Sequence, residues 1–302
     1  MRFCFVSTRR GSHFMTELLL ALSDACAEAG HQVELALDAF PPLDDGDTVY
    51  VAIPHEFYAH GDPSGLPDAR QRARTIALCT ENPGTPWFDH TLELVTQFAA
   101  AVSINRSSDA ALRQRGVPCA HLQLGYVPSW DTWHRDDAVP RPIDVLYLGA
   151  ADPRRDPLLP PIARALSARE CQFLVPPLEV RTAPRPDFLT GVDKYHRLRS
   201  SRVLLNLHRT TSQAFEWMRF LEAICNGCVV VSEPSLDSEP LIPDEHFLVA
   251  DVKQIASVVD ELLGDPARLR ELREGAYDFV RHELSMRAAV ERLAALASKL
   301  LA

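Results

Sequence analysis

At 302 residues the chain is longer than a single hydrophobic core usually organises, so two domains are expected. Hydrophobic residues make up 46% and charged residues 24%, the balance of an ordinary soluble globular protein rather than a disordered or membrane-embedded one. The formal net charge of -10 argues against a general binder of nucleic acid or anionic membrane, whose affinity would rest on a basic surface, while leaving room for a local basic pocket.

Directly after Met1, the buried run at residues 3–7 reads as a strand, and TRRGSH follows it as a loop. Residues 14–29 carry apolar side chains at helical spacing, with Gly30 as the stop. Further strands are expected at 33–37, 48–53, 74–79 and 101–104. Ser107 and Ser108 are expected to cap a helix that runs to Arg115 and closes on Gly116, before a short strand at 119–122. Strands separated by helices call for a parallel sheet with right-handed crossovers. Asp44, Asp45 and Asp47 fall in an acidic turn ahead of a strand. No DxD-like motif stands at a suitable strand end, so no metal is expected.

Between Gly125 and Pro142 the pattern breaks: GYVPSWDTWHRDDAVPRP holds three Pro, two Trp and a charge cluster without any period, and reads as a linker. A second α/β unit opens at Ile143 with IDVLYLGA. A helix is expected within 156–168, a strand at 171–175, a loop at 184–191 and a short helix at 194–200. The most informative stretch comes next. A buried strand at 203–207 ends in VLLNLH, the polar loop TTSQ follows, an amphipathic helix opens near Phe215, Gly227 stops it, and a second buried strand spans 229–231. A last strand at 247–250 and helices at 255–263, 267–283 and 286–301 complete the chain. The expected organisation is α/β, two Rossmann-like domains facing across a cleft: 1–125, a linker 126–142, 143–285, and a terminal helix 286–302 able to cross back to the first domain.

The seven cysteines are scattered, odd in number and mostly inside apolar runs, which suggests reduced thiols rather than a disulfide framework. Cys225 and Cys228 form a C-x-x-C, but no second pair accompanies it and it straddles a helix end, so both read as core residues. With no leader-like segment and no apolar run long enough for a bilayer, a cytoplasmic location is expected, and peripheral membrane contact stays open.

Parallel α/β sheets bind ligands beyond the carboxyl ends of their strands, so residues there are the candidates. Arg154 and Arg155 follow one strand; Arg offers a planar fork matched to phosphate oxygens, and a solvated loop is the plain alternative. His208 ends VLLNLH, as a donor to phosphate or sugar oxygens or as a satisfied structural histidine. The hydroxyls of TTSQ suit capping or anion binding at a helix N-terminus. Glu216 and Arg219, three apart, form either a surface ion pair or a carboxylate for sugar hydroxyls beside a phosphate-binding Arg. Ser232 and Glu233 end the next strand, within reach of ribose or base. In the first half, Gly11 lets backbone approach a ligand closely. His13, His55, Glu56 and Glu81 lie at strand ends as candidate bases, and spacing singles out none; a capped turn is the plain reading of His55.

DVLYLGAADPRRD, VLLNLH, FEWMR and VVVSE, followed by DPARLRELREGAYDFV, resemble in order and spacing the nucleotide-sugar domain of GT-B glycosyltransferases of the group 1-like kind. The nearest likeness is to a bacterial group with Leu-Asn-Leu-His, Phe-Glu-x-x-Arg and Val-Val-Ser-Glu, over residues 144–283, and the N-terminal RRGSHFMTELLLALSDACAEAGHQVEL is similar to the opening of such enzymes. The resemblance implies an enzyme that moves a sugar from a nucleoside diphosphate sugar to a small-molecule or glycan acceptor; the acidic charge balance argues against a nucleic-acid partner, and no cofactor beyond the donor is expected. On that reading Arg154, Arg155, His208, Arg219, Glu222, Ser232 and Glu233 hold the donor, and Glu216 and His55 are the catalytic candidates. Gly11, His13, Glu56 and Glu81 line the acceptor side. The broader family carries two Glu separated by seven residues; Glu222 matches the second, the first would fall on Ala214, and in the nearer group Glu216 stands in its place. Cationic side chains and a helix N-terminus would stabilise the leaving diphosphate without metal, and the resemblance favours retention of configuration. Two other readings stay open: an epimerase or hydrolase of the same architecture, and a non-catalytic nucleotide-sugar binder. A dehydrogenase is disfavoured, since no G-x-G-x-x-G follows the strands that open the two halves.

Overall fold

The first apolar run forms β1 (Arg2–Ser7), buried over its last five residues because helices cover both faces of a parallel sheet. The computed structural model describes residues 1–43, 46–136, 138–180 and 182–302, so Asp44 and Asp45 of the acidic turn lie outside the described residues; Asp47 pairs with the N-terminal amine at 3.3 Å. The chain divides into two units, Met1–Val127 with Val180–Ala183 and Met286–Ala302, and Pro128–Glu179 with Pro184–Ser285.

In the first unit β1 is followed by α1 (His13–Glu28), β2 (Gln32–Leu37), β3 (Thr48–Ala52), α2 (Pro54–His60), α3 (Ala69–Arg72), β4 (Thr75–Cys79), α4 (Pro86–Val95), β5 (Ala100–Ser103), α5 (Arg106–Gln114) and β6 (Cys119–His121). α1 ends as the sequence suggests: Gly30 takes φ 85°, and His31 N–H bonds back to Cys26 O at 3.0 Å. The pairing is parallel throughout, in the order β2-β1-β3-β4-β5-β6. Central β3 and β4 are buried at every position, whereas the edge strand β2 exposes alternate residues. Two local expectations change. Asn105, not Ser107 or Ser108, precedes α5, and Ser108 lies in its first turn, donating its hydroxyl to Glu81 O at 2.6 Å. The helices α2 and α4 were not anticipated, although Thr85 with Pro86 at the first position is a capping signature and Thr85 Oγ1 does accept Phe88 N–H at 3.1 Å.

The second unit contains β7 (Ile143–Leu148), α6 (Leu159–Ala165), β8 (Cys171–Leu174), α7 (Gly191–Arg199), β9 (Ser201–Asn206), α8 (Trp217–Cys225), β10 (Val229–Ser232), β11 (Leu248–Val249), α9 (Ile255–Gly264) and α10 (Pro266–His282). Its strands are again all parallel, ordered β11-β10-β9-β7-β8. Val145, Tyr147, Val203, Leu205 and Val231 turn one face of this sheet onto Leu159, Ile162, Ile255, Val259 and Leu272. Each such side chain contributes about 1.5–3 kcal/mol by burial. The terminal α11 (Arg287–Leu301) belongs to the first unit, where Met286 N–H bonds to Tyr126 O at 3.3 Å.

The stretch read as a linker is packed structure from Pro128 onward. Trp130 and Trp133 are both buried. Trp133 meets Tyr277 edge-on with ring centroids 4.9 Å apart and lies 5.2 Å beneath the Arg141 guanidinium. Gly227, at φ 63°, closes α8 where a Cβ would stand 2.5 Å from the Trp133 ring. The lost periodicity therefore marks an irregular segment anchored by aromatic rings. All seven cysteines are free thiols, and burial raises the pKa of both Cys225 and Cys228, the latter to about 12. Among the described residues no helix is long and apolar enough to cross a membrane.

Candidate functional site

In the second sheet, strand order reverses between β7 and β9, and at such a switch point the loops part to leave a crevice beyond the carboxyl ends. The loops after β7, β9 and β10 and the start of α8 bring most of the predicted donor residues there. Arg219, on the first turn of α8, donates from Nη1 to Asn206 Oδ1 at 2.8 Å and pairs with Glu216 Oε2 at 3.1 Å. Asn206, the last residue of β9 and fully buried, passes the link on from Nδ2 to Ser232 Oγ at 3.0 Å. Ser235 Oγ lies 3.1 Å from His208 Nε2, which also lies 2.9 Å from Pro234 O, so the imidazole is held between two backbone-anchored oxygens. Arg155 is buried beside Tyr147 and donates from Nη2 to Ala150 O at 2.8 Å. Burial, with Arg219 nearby, lowers its guanidinium pKa below the ordinary value.

Three of the predicted donor residues are engaged in ion pairs within the protein. Arg154 does not stand open to an anion: its Nη1 and Nη2 grip Glu233 Oε2 and Oε1 at 2.9 and 2.5 Å, and Nη1 also donates to His208 O at 2.6 Å. Both carboxylate oxygens of Glu233 are thereby engaged by Arg154. Burial alone would raise its carboxyl pKa, but the bonds from Arg154 and from His208 N–H outweigh that and lower it. Glu222 lies well inside α8, buried, and accepts from Lys194 Nζ at 2.7 Å, so its carboxylate is committed to an internal ion pair with α7. The hydroxyl loop does not cap α8: Thr210 and Ser212 bond each other at 2.7 Å, and Glu216 occupies the N-cap position without a side-chain cap bond. Sequence reasoning passed over Tyr147, Lys194 and Asn206. Only Asn206 carried a signal, a polar residue closing the apolar run VLLN.

The first sheet reverses between β1 and β3, and its loops meet at that point too. Glu56, in the first turn of α2, accepts the Ser12 backbone N–H through Oε1, and a Cβ on Gly11 would run into the same carboxylate. The close approach that Gly11 permits is thus made by Glu56, which seats its charge at the N-terminus of α1. His13 opens α1, half-buried. His55 is 2% exposed, with Nδ1 3.0 Å from Thr91 Oγ1 and Nε2 3.6 Å from Glu81 Oε1. Burial, with His90 and His60 nearby, lowers its pKa to about 4, leaving a neutral and weakly basic ring. Among the described residues no three His, Cys, Asp or Glu side chains gather to hold a metal. A cavity of about 660 Å³ opens at the amino end of β7 and β8, lined among others by Glu170, Gln172, Asp193 and Arg197. It holds none of the predicted residues and lies at the edge of a parallel sheet that does not usually receive ligands.

Residues 166–295 match the family described as glycosyl transferase-like. No curated protein matches the sequence. Among solved structures, an alpha-glucosyltransferase in complex with UDP and a 13-mer DNA containing an HMU base superposes with a TM-score of 0.64 at 12% identity, over 99% of each chain. AviGT4, a glycosyltransferase involved in avilamycin A biosynthesis, gives 0.62 at 15% identity over 100% of this chain and 98% of its own. Anabaena HepE in complex with UDP and glucose gives 0.60 at 11% identity over 99% and 100%. At these identities the likeness is one of fold, and that fold is GT-B, two parallel-sheet α/β domains. The chain thus has the GT-B fold, and residues 166–295 of it match the glycosyl transferase-like family.

Proposed function

We propose that the protein transfers a sugar from a nucleoside diphosphate sugar to a small-molecule or glycan acceptor, without a metal or other cofactor. The observation that carries this reading is the grouping of Arg155, Arg219 and Glu216 at the switch point of the second sheet. In the reaction the bond from the anomeric carbon to the diphosphate oxygen breaks, its electron pair leaves with the diphosphate, and the acceptor hydroxyl bonds to the carbon and gives up its proton. Two guanidinium groups oppose the charge that builds on the leaving oxygen, which lowers the barrier more than it tightens ground-state binding. Glu216 accepts from a sugar hydroxyl, and Arg219 holds it in place. His55, neutral at pH 7, hydrogen-bonds an acceptor hydroxyl, with Gly11, His13, Glu56 and Glu81 around it on the acceptor side. Retention of configuration is the favoured outcome, by likeness to retaining enzymes. Uridine is the favoured base, because similar structures hold UDP. One of those structures also holds DNA, but a net charge of -10 sets this chain against a polyanionic acceptor. Seven free thiols fit a cytoplasmic setting.

Thermal melts with UDP in the presence of EDTA test the reading. A ligand at a hundred times its Kd adds about 2.7 kcal/mol to the folded state, so a clear rise in Tm is expected, and turnover of the UDP-sugar should persist in the chelator. No shift with UDP, GDP, ADP or dTDP would refute a nucleotide-sugar donor. Turnover lost to EDTA and restored by magnesium or manganese would refute metal independence.

A further inference from the structure

Two buried donors at the head of β7, Tyr147 Oη and Arg155 Nε, have no hydrogen-bond partner among the described residues. Leaving such a group dry is unfavourable, and native chains tolerate it mainly where something else completes the bond. Both donors flank one backbone position. A Cβ on Gly149 would stand 2.5 Å from Tyr147 Oη and 3.1 Å from Arg155 Nη1, so a glycine there is what lets the hydroxyl reach the strand end. Both residues also feel the charges of Arg219 and Glu216. Glu216 Oε2, paired in charge with Arg219, is likewise without a hydrogen bond. The open valences are therefore an O–H and an N–H beside two guanidinium groups, with one carboxylate oxygen close by. That set is completed by an anion rich in acceptor oxygens that carries a hydroxyl next to it. A neutral ligand would offer the two open donors weaker acceptors, and a lone carboxylate would have nothing to offer Glu216.

We propose that Tyr147 is a donor-binding residue, its hydroxyl and Arg155 Nε hydrogen-bonding the leaving diphosphate beside Gly149, where the two side chains converge. This rests on the nucleotide-sugar reading above. It assigns to the strand itself, rather than to the loops alone, a contact with the group on which negative charge builds.

The test is calorimetric titration of wild type, Tyr147→Phe and Arg155→Lys with UDP, inorganic pyrophosphate and uridine, together with a ligand-free melt. Tyr147→Phe should melt at or above the wild-type temperature, because it removes an unsatisfied hydroxyl from the core. Its Kd for UDP and for pyrophosphate should rise about tenfold, about 1.4 kcal/mol, with uridine unchanged. Arg155→Lys keeps the charge but removes the Nε–H, and should show the same selective loss even if the phenylalanine variant folds poorly. UDP affinity within twofold of wild type in both variants overturns the inference and leaves the donor reading standing. A wild-type protein that binds no nucleoside diphosphate removes both together.

Discussion

Replacing Arg154 with alanine should cost folding stability rather than diphosphate affinity. Its guanidinium makes two bonds to Glu233, at 2.9 and 2.5 Å, and a third to His208 O at 2.6 Å. Charged hydrogen bonds contribute about 1.5–3 kcal/mol each, but the three cannot be summed. The Arg154 side chain is 29% exposed against 6% for Glu233, so solvent screens one end of the pair, and Glu233 keeps its bond from His208 N–H at 2.7 Å. Stripping one partner from a buried pair costs about 3–5 kcal/mol, and the lower end, about 3 kcal/mol, suits this exposure. At roughly 2–4 °C per kcal/mol, Tm should fall by about 6–12 °C. Urea unfolding followed by tryptophan fluorescence would measure the loss. A cycle with Glu233→Gln should return a coupling of about 2 kcal/mol.

The pH dependence of that loss has a definite sign. The folded carboxyl of Glu233 is held below its ordinary 4.5, so the stabilisation is fully present above that pH and fades as pH falls through the lowered value. The gap between wild type and Arg154→Ala should therefore shrink on acidification, as protonation of Glu233 removes the charge that Arg154 pairs with. A stability loss under about 1 kcal/mol, coupled with a tenfold weaker grip on UDP, would refute this argument and return Arg154 to the phosphate site.

Glu216→Gln should move stability by no more than about 1 kcal/mol, as for a partly exposed ion pair, while turnover falls at least ~10-fold; unchanged kinetics would remove Glu216 from the donor site. Glu222→Gln should do the opposite, losing about 3 kcal/mol because it breaks the buried ion pair with Lys194, with turnover of the folded protein nearly intact; a stable but inactive variant would return Glu222 to the chemistry. His55 has a folded pKa of about 4 against an ordinary 6.5, so the unfolded chain takes up its proton first. The stability contributed by the neutral ring is fully present above pH 6.5 and is lost as pH falls toward 4, up to about 3 kcal/mol. His55→Gln should flatten that part of the stability curve, and an unchanged slope between pH 4 and 6.5 would mean that the ring titrates as in water.

The strands were legible because a strand buried on both faces is a continuous apolar run, and the candidate positions because parallel sheets bind ligands at one edge. What could not be read was direction within an element end. Arg154 and Arg155 are adjacent in a loop without period, so nothing local says that the first locks onto Glu233 while the second lies beside Tyr147. Glu222 looked like a site residue because its neighbours Leu221 and Ala223 fit a family pattern. Its real partner, Lys194, is set by how α7 and α8 pack, which no spacing along one helix reveals. Tyr147 was hidden for the opposite reason: inside a strand, an aromatic reads as core, and its hydroxyl stands out only once the partners around it are known.

The two sheets share one topology and use it with opposite charge. Counted within its own unit, each runs 2-1-3-4-5, the first adding a sixth strand, so each has a switch point beside its first strand. At the first, the N-terminus of α1 presents backbone N–H groups that would suit a phosphate, but Glu56 already occupies that position and repels a second anion. At the second, Arg155 and Arg219 stand near each other, with the carboxylates of Glu216 and Asp152 also nearby. A diphosphate carries charge that must be matched in a poorly solvated crevice. The second switch point supplies cations for that match in Arg155 and Arg219, whereas at the first Arg9 is paired with Asp38. The proposed division between donor and acceptor sides rests on where Glu56, Arg155 and Arg219 fall on the same strand order.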